Sequence, residues 1–237
     1  MMQKMQLIKP AASAGLKRLI DLVFPPLCTV CDKLLTQNED QICMQCLDKL
    51  IWLGDTHTTF SIPGQPFVKT AWVLFEFDEA LQHVTHQLKY ARRLKPIQVI
   101  LEHYENAIRN LLAGHRWDWV LPIPLHPRKF RERGYNQAEG MAGWMAELVG
   151  AGLRTDLVRR VKYTRTQTQL NPSERLTNVQ GAFGVIQAQD VVSRRILLVD
   201  DVLTTGATSN ALAEELLIHG ALQVNLVTLS TPKMENA

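Results

Sequence analysis

The chain of 237 residues has no uninterrupted apolar run long enough to span a bilayer, which argues against a membrane-spanning helix. It has no internal repeat and no low-complexity tract, so repeat architectures and compositionally biased disorder are not indicated. Charge of one sign is nearly absent as a signal. The formal net charge is +3, too small to identify a nucleic-acid binder by itself. A signal-like apolar core is also missing: Asp21 and the pair Pro25-Pro26 break the run from Leu19, and no small-residue cleavage site follows. A cytoplasmic location is therefore expected. What remains is 46% hydrophobic and 21% charged, the balance of a soluble globular chain with room for one large or two smaller domains.

Cysteine is absent from most of the chain and concentrated in nineteen residues. Cys28, Cys31, Cys43 and Cys46 follow the pattern C-x2-C-x11-C-x2-C. Each C-x-x-C turn points two sulfurs at one centre, and two such turns complete a tetrahedral thiolate site for Zn²⁺. The gap between them can hold a hairpin. Disulfides do not suit a cytoplasmic chain. The flanking βαβ pattern of a thioredoxin-type redox motif is missing. With no fifth ligand and no acid or base nearby, the zinc is expected to be structural, and a segment this small would depend on it to fold. Before the cysteines, Leu16, Leu19, Ile20 and Val23 recur at helical spacing over residues 13–24, as in a short amphipathic helix that packs on a neighbour. After them, Gly54, Pro63, Gly64 and Pro66 mark a linker. The expected division is 1–52 for the helix and zinc module, 53–70 for the linker and 71–237 for the main domain. His57 reads as a loop residue, since four thiolates suffice.

From residue 70 strands and helices alternate, the pattern of a parallel sheet covered on both faces. Residues 70–77 read as a strand, with Asp78 capping the helix that follows. Residues 97–112 form one amphipathic helix ended by Gly114. Residues 118–125 form a strand that Pro122 and Pro124 bring to its end. A loop then carries Arg128, Lys129, Arg131 and Arg133, guanidinium groups suited to gripping anions. Asn136 caps a helix to about Val149, with Glu139 at capping-box spacing. Strands near 157–161 and 181–186 enclose a polar segment, 162–178, of a length typical of functional lids. Residues 128–175 hold ten Lys/Arg against five Asp/Glu, compatible with a polyphosphate site, with nucleic acid or with a solvated basic face. Lys89-Tyr90, with Arg92, Arg93 and Lys95 just beyond, is either a solvated basic turn or a ligand contact.

The most informative stretch is Arg195 to Asn210. Ile196-Leu-Leu-Val199 suits a buried strand, Asp200 and Asp201 follow, then Thr204-Thr-Gly-Ala-Thr208, then a helical pattern. A helix start leaves backbone N–H groups unpaired at the positive end of the dipole and can hold a phosphate. Gly206 allows close backbone approach, and the Thr hydroxyls add donors. Two carboxylates beside a phosphate make sense if they hold sugar hydroxyls or a hydrated Mg²⁺. Each part alone can be ordinary surface or an ordinary cap. In order, they describe a phosphosugar site.

This run resembles the phosphoribosyl-pyrophosphate (PRPP) loop of type I phosphoribosyltransferases. The wider set is narrower still: the cysteine pairs, Leu88-Lys-Tyr90, Pro122-Ile-Pro-Leu125 before Arg131-x-Arg-Gly-Tyr-Asn-Gln-Ala138, the Gln169, Arg175, Asn178 and Ala182-Phe183 spacing, and the loop itself. In that order the motifs resemble the ComF family, which includes competence protein F and GntX-type DNA-utilisation proteins, over essentially the whole chain. The resemblance implies an α/β fold, a type I phosphoribosyltransferase-like parallel sheet flanked by helices, with a small N-terminal zinc-ribbon-like domain. It implies a 5′-phosphate on Thr204, Thr205, Gly206, Ala207 and Thr208, and ribose with Mg²⁺ at Asp200 and Asp201. By position, Arg128, Arg131 and Arg133 would serve the pyrophosphate, on a longer and more arginine-rich loop than typical transferases have. A Mg²⁺-dependent phosphoribosyl transfer would then work electrostatically, with metal and arginines stabilising the departing pyrophosphate. The family is associated with DNA uptake or the use of DNA as a nutrient. The other implied role is a non-catalytic factor that binds single-stranded DNA, with Tyr135 and Tyr163 able to stack, or an adaptor that contacts DNA-uptake or processing proteins through the zinc module.

Overall fold

The computed structural model describes residues 22–54, 66–91, 94–162, 179 and 181–232, with the backbone alone for 86–91. In chain order its elements are α1 (Met44–Leu47), β1 (Ala71–Glu76), α2 (Glu79–Ala91), α3 (Lys95–His103), α4 (Glu105–Leu111), β2 (Trp119–Pro122), α5 (Pro127–Arg133), α6 (Gln137–Val149), β3 (Gly152–Leu153), β4 (Val158–Arg160), β5 (Phe183–Val185), β6 (Arg195–Val202), α7 (Ala207–Ile218) and β7 (Gln223–Thr231). Five strands form one sheet in the order β1-β7-β6-β2-β3. Every pairing in it is parallel. A parallel sheet must be covered on both faces, and its central strand β6 shows why the run at Ile196–Val199 is uniformly apolar: all four residues are buried. Each such side chain contributes about 1.5–3 kcal/mol by leaving water.

The topology places the functional end of the molecule. From β2 the chain crosses through α6 to β3 on one side, and from β6 it crosses through α7 to β7 on the other. Right-handed crossovers in opposite directions put the two helices on opposite faces. The packing agrees. Leu197, Val199 and Val227 share a core with Met141 and Met145 of α6. Ile196, Leu198 and Leu226 share the other core with Leu212 and Leu216 of α7. The strand order therefore reverses between β2 and β6, and a crevice opens where their carboxyl ends part.

The cysteine module is not a bead on a string. Cys28, Ile42, Leu47 and Leu50 are buried in the same cluster as Phe75, Leu101 and Ile108. The segment after α1 joins the sheet edge: Leu53 N–H donates to Leu74 C=O at 2.9 Å and Glu76 N–H to Ile51 C=O at 2.9 Å. This covers β1, an edge that would otherwise present unpaired backbone. Trp52 stacks on Tyr104 with ring centroids 5.4 Å apart, and the Tyr104 hydroxyl donates to Leu47 C=O at 3.1 Å.

Four local expectations change. The helix expected over 97–112 is two helices, α3 and α4, broken at Tyr104 (φ −96°, ψ 13°). Tyr104 is the residue drawn onto the cysteine module. The arginine-rich loop contains a short helix, α5, capped by His126, which accepts from Arg128 N–H at 3.1 Å, and closed by Gly134 at φ 78°. The acidic pair lies within β6, not after it. Finally, β4 and β5 pair with each other, antiparallel, as a separate two-stranded sheet. The cap at Asp78 stands as expected, accepting from Leu81 N–H at 2.8 Å. The two-residue strand β3 was not expected; at Gly152 a Cβ would meet the Trp119 ring at 2.3 Å, so only glycine allows this edge to close. Among the described residues no helix is long and apolar enough to cross a membrane. The expected helix before Leu22, most of the linker 53–70, His57, the side chains of Lys89 and Tyr90, Arg92, Arg93, Tyr163 and the segment 163–178 lie outside the described residues.

Candidate functional site

Two constellations stand out, one of sulfur and one of oxygen. In the first, the Sγ atoms of Cys28, Cys31, Cys43 and Cys46 all lie within 4.8 Å of one another. Cys31 and Cys43 Sγ are 3.7 Å apart. Tight turns of Cys28–Asp32 and Cys43–Leu47 direct them: Asp32 N–H donates to Cys28 C=O at 2.9 Å, and Cys46 N–H to Cys43 C=O at 2.9 Å. Cys43 N–H also donates to Cys28 Sγ at 3.3 Å. Burial would push the Cys28 thiol up, but donors from Cys43, Cys31 and Val30 outweigh it and bring it down to about 7. Cys46 is pushed well above the ordinary thiol value by burial and by its sulfur neighbours. Four converging sulfurs form a donor set that fits tetrahedral Zn²⁺.

The second constellation sits at the crevice end of the sheet. Strand alternation sends adjacent side chains to opposite faces. Asp200 follows Ile196 and Leu198 onto the α7 side, and Asp201 follows Leu197 and Val199 onto the α6 side. Each carboxylate accepts the next backbone N–H: Asp200 Oδ1 from Asp201 at 2.9 Å, and Asp201 Oδ1 from Val202 at 2.9 Å. The chain then turns through Thr204 and Thr205 into α7. Gly206 makes this turn at φ 71°, a left-handed conformation that a Cβ would strain. Thr205 Oγ1 accepts from Ala207 N–H at 3.4 Å, and Ser209 Oγ donates to Gly206 C=O at 2.9 Å.

A cavity of about 40 Å³ lies here, lined by Asp200, Leu203, Thr204, Gly206, Ala207 and Thr208, and from β7 by Leu226 and Thr228. Of the residues expected to hold a phosphosugar, the fold thus brings Asp200, Thr204, Gly206, Ala207 and Thr208 around one space. Thr205 is beside it in the same turn, while Asp201 is not among its lining residues. Burial, then the charge of Asp201, raise the Asp200 carboxyl well above the usual carboxylate range, against the pull of the Asp201 N–H and of Arg160.

Arg160 is the residue that sequence reasoning did not single out. It lies on β4, only 8% exposed, with its guanidinium 5.3 Å from the Phe183 ring centroid. Burial lowers its pKa and Asp200 raises it. The signal available in the sequence was Arg159-Arg160 within an apolar strand pattern, where alternation forces one of the two inward. The arginines of α5 follow β2, the strand paired with β6 through Pro122 and Val199. Arg128 is held by Glu132 at 3.1 Å, an i,i+4 pair on the helix surface. Arg131 is exposed and Arg133 half-buried. Tyr135 is half-buried with its hydroxyl oxygen inside, whereas Phe130 is 43% exposed and is the aromatic presented on this helix.

With this geometry in place, comparison with known proteins adds three findings. Residues 19–59 match the double zinc ribbon domain model. The chain is 25% identical to competence protein F of Haemophilus influenzae over 192 residues, 79% of this chain and 82% of that protein. It is 27% identical to the DNA utilization protein YhgH of Escherichia coli K12 over 212 residues, 84% of this chain and 88% of that protein. Among solved structures, an adenine phosphoribosyltransferase from Thermoanaerobacter pseudethanolicus aligns with a TM-score of 0.35 and 15% identity, over 56% of this chain and 81% of that one. Likeness at that level carries no weight for function. The sequence relationships do carry weight for kinship, and the parallel sheet flanked by helices with four cysteines in an N-terminal ribbon is the architecture that the motifs implied. Over most of its length the chain is similar to competence protein F and the DNA utilization proteins, and its N-terminal segment matches the double zinc ribbon domain.

Proposed function

We propose that the protein binds PRPP or a related phosphoribosyl ligand at the start of α7, and acts in DNA uptake or in the use of DNA as a nutrient. The observation that carries the binding is the cavity between the end of β6 and the turn Leu203–Gly206, lined by Asp200, Thr204, Gly206, Ala207 and Thr208. A helix start offers N–H donors and a positive dipole end to the 5′-phosphate. Asp200 faces the same space and suits ribose hydroxyls or Mg²⁺; Asp201, on the other face of β6, would reach a metal from the crevice side. When bound, Mg²⁺ would neutralise pyrophosphate charge, and the protein's share is to hold the ligand and fix its orientation. Arg131 and Arg133 on α5, the helix that follows β2, would serve the pyrophosphate. The names of the relatives, competence protein F and DNA utilization protein, support the physiological part of the reading.

Isothermal titration of the zinc-loaded chain with PRPP and Mg²⁺ tests this. Saturable binding with about one site per chain is expected, and it should be lost in a variant with Thr204 and Thr205 both changed to Val. A folded chain with no heat of binding would remove the reading. One observation favours a second reading, binding of single-stranded DNA. Exposed Phe130 lies between Lys129 and Arg131 on α5, an aromatic for stacking a base beside cations for its backbone. Arg131→Ala with Phe130→Ala should then weaken binding of an oligothymidylate at low salt; unchanged affinity would count against it.

A further inference from the structure

The cavity at the start of α7 contains one group that neither the loop motif nor the acidic pair accounts for. Thr228 lies on β7, the strand next to β6, and pairs in register with Asp200. Alternation along β7 puts Leu226 and Thr228 on the α7 side, and both line the cavity. Thr228 is 1% exposed, and its Oγ1 has no hydrogen-bond partner. Its neighbours are spoken for: Ser209 donates to Gly206 C=O, Thr231 Oγ1 donates to Leu203 C=O at 2.9 Å, and Ser230 Oγ to Asp201 C=O at 3.5 Å. A buried hydroxyl left without a partner is costly, and valine would fill the same volume without that cost. A free donor at this position makes physical sense where a ligand oxygen completes it.

We infer that Thr228 is a ligand-binding residue, its hydroxyl donating to a phosphate oxygen of a phosphosugar seated at the start of α7. This rests on the reading proposed above and extends the site from the loop to the neighbouring strand. The loop offers backbone N–H groups from one side, and Thr228 offers a side-chain O–H from the sheet beneath. Because that hydroxyl sits in the sheet, its position is fixed by the β6–β7 ladder and not by the loop, so it can select for phosphate depth as well as charge. The hydroxyl is the part that matters, so serine should replace threonine and valine should not.

The test uses ribose 5-phosphate, which carries the phosphate without the pyrophosphate, and PRPP with Mg²⁺, titrated into wild type, Thr228→Val and Thr228→Ser. For Thr228→Val, affinity for both probes should fall on the order of five- to tenfold, the loss of one hydrogen bond to a charged group. Its ligand-free melting temperature should equal or exceed that of wild type, because an unpartnered hydroxyl has gone. Thr228→Ser should bind within about twofold of wild type by the same reasoning. Equal binding by wild type and Thr228→Val, or a serine variant as weak as the valine one, would overturn the inference while leaving the proposed function standing. A wild type that binds neither probe would overturn both.

Discussion

The zinc ribbon and the crevice at the end of β6 gather their polar atoms in different ways. In the ribbon, the ligand atoms belong to the side chains themselves. Four sulfurs converge within 4.8 Å, and the sequence spacing alone directs them. In the crevice, much of the chemistry belongs to the backbone, through the first turn of α7 and the left-handed turn at Gly206. The side chains that complete it come from β6 and β7, which the register sets next to one another. The ribbon would depend on a bound metal to hold a short segment together, since so little of it can form a core of its own. The crevice depends on a sheet that is already buried on both faces. The two also lie against different faces: the ribbon packs into the core shared with α6, while Asp200 and Thr228 face the α7 side. Damage to one should therefore read out differently from damage to the other.

The largest expected effect is on the ribbon. Changing Cys46 to Ser should abolish stoichiometric zinc and cost several kcal/mol of stability, since metal affinity in such sites is folding free energy of about 10 kcal/mol or more. Metal analysis and thermal unfolding check this; a variant that keeps both zinc and melting temperature would break the comparison. Next is Asp200→Asn, which should weaken PRPP–Mg²⁺ binding by about tenfold or more without lowering the melting temperature. The same variant carries a pH signature in metal-free protein. The Asp200 carboxyl is raised in the native state, so from about pH 4, where it ionises when unfolded, up to its native pKa, folding retains a proton that unfolding releases. Stability contributed by that proton falls as pH rises through this window, and Asp200→Asn should flatten the fall. Denaturant titrations at several pH values measure it; an unchanged slope would refute the assignment. The smallest effect is expected at the seam. Tyr104→Phe removes the hydrogen bond to Leu47 and should cost about 1 kcal/mol in urea unfolding while leaving PRPP affinity unchanged.

Much of this was legible in the chain. The C-x2-C pairs are local, and each turn needs only its own residues. The alternation of apolar strands and amphipathic helices after residue 70 carried the parallel sheet, because burial on both faces demands continuous apolar runs like Ile196–Val199. The helix at Pro127–Arg133 was equally legible, with proline at its first position and glycine just past its end. The break at Tyr104 was not legible. Helical periodicity continues through it, and its cause is a contact with Leu47 and Trp52, more than fifty residues away in the chain.

The sequence by itself determined the donor types and their local spacing: four thiols, two adjacent carboxylates, a threonine- and glycine-rich turn before a helix. Those depend on neighbours in the chain. Only the tertiary structure decided which of them share a space. Pleating sends Asp200 and Asp201 to opposite faces, the order β7-β6-β2 sets the crevice between the carboxyl ends of β2 and β6, and the β6–β7 register brings Thr228 beside Asp200 across twenty-eight residues of chain. A pattern along one strand says that neighbours alternate; it takes the packed sheet to say what lies across from them.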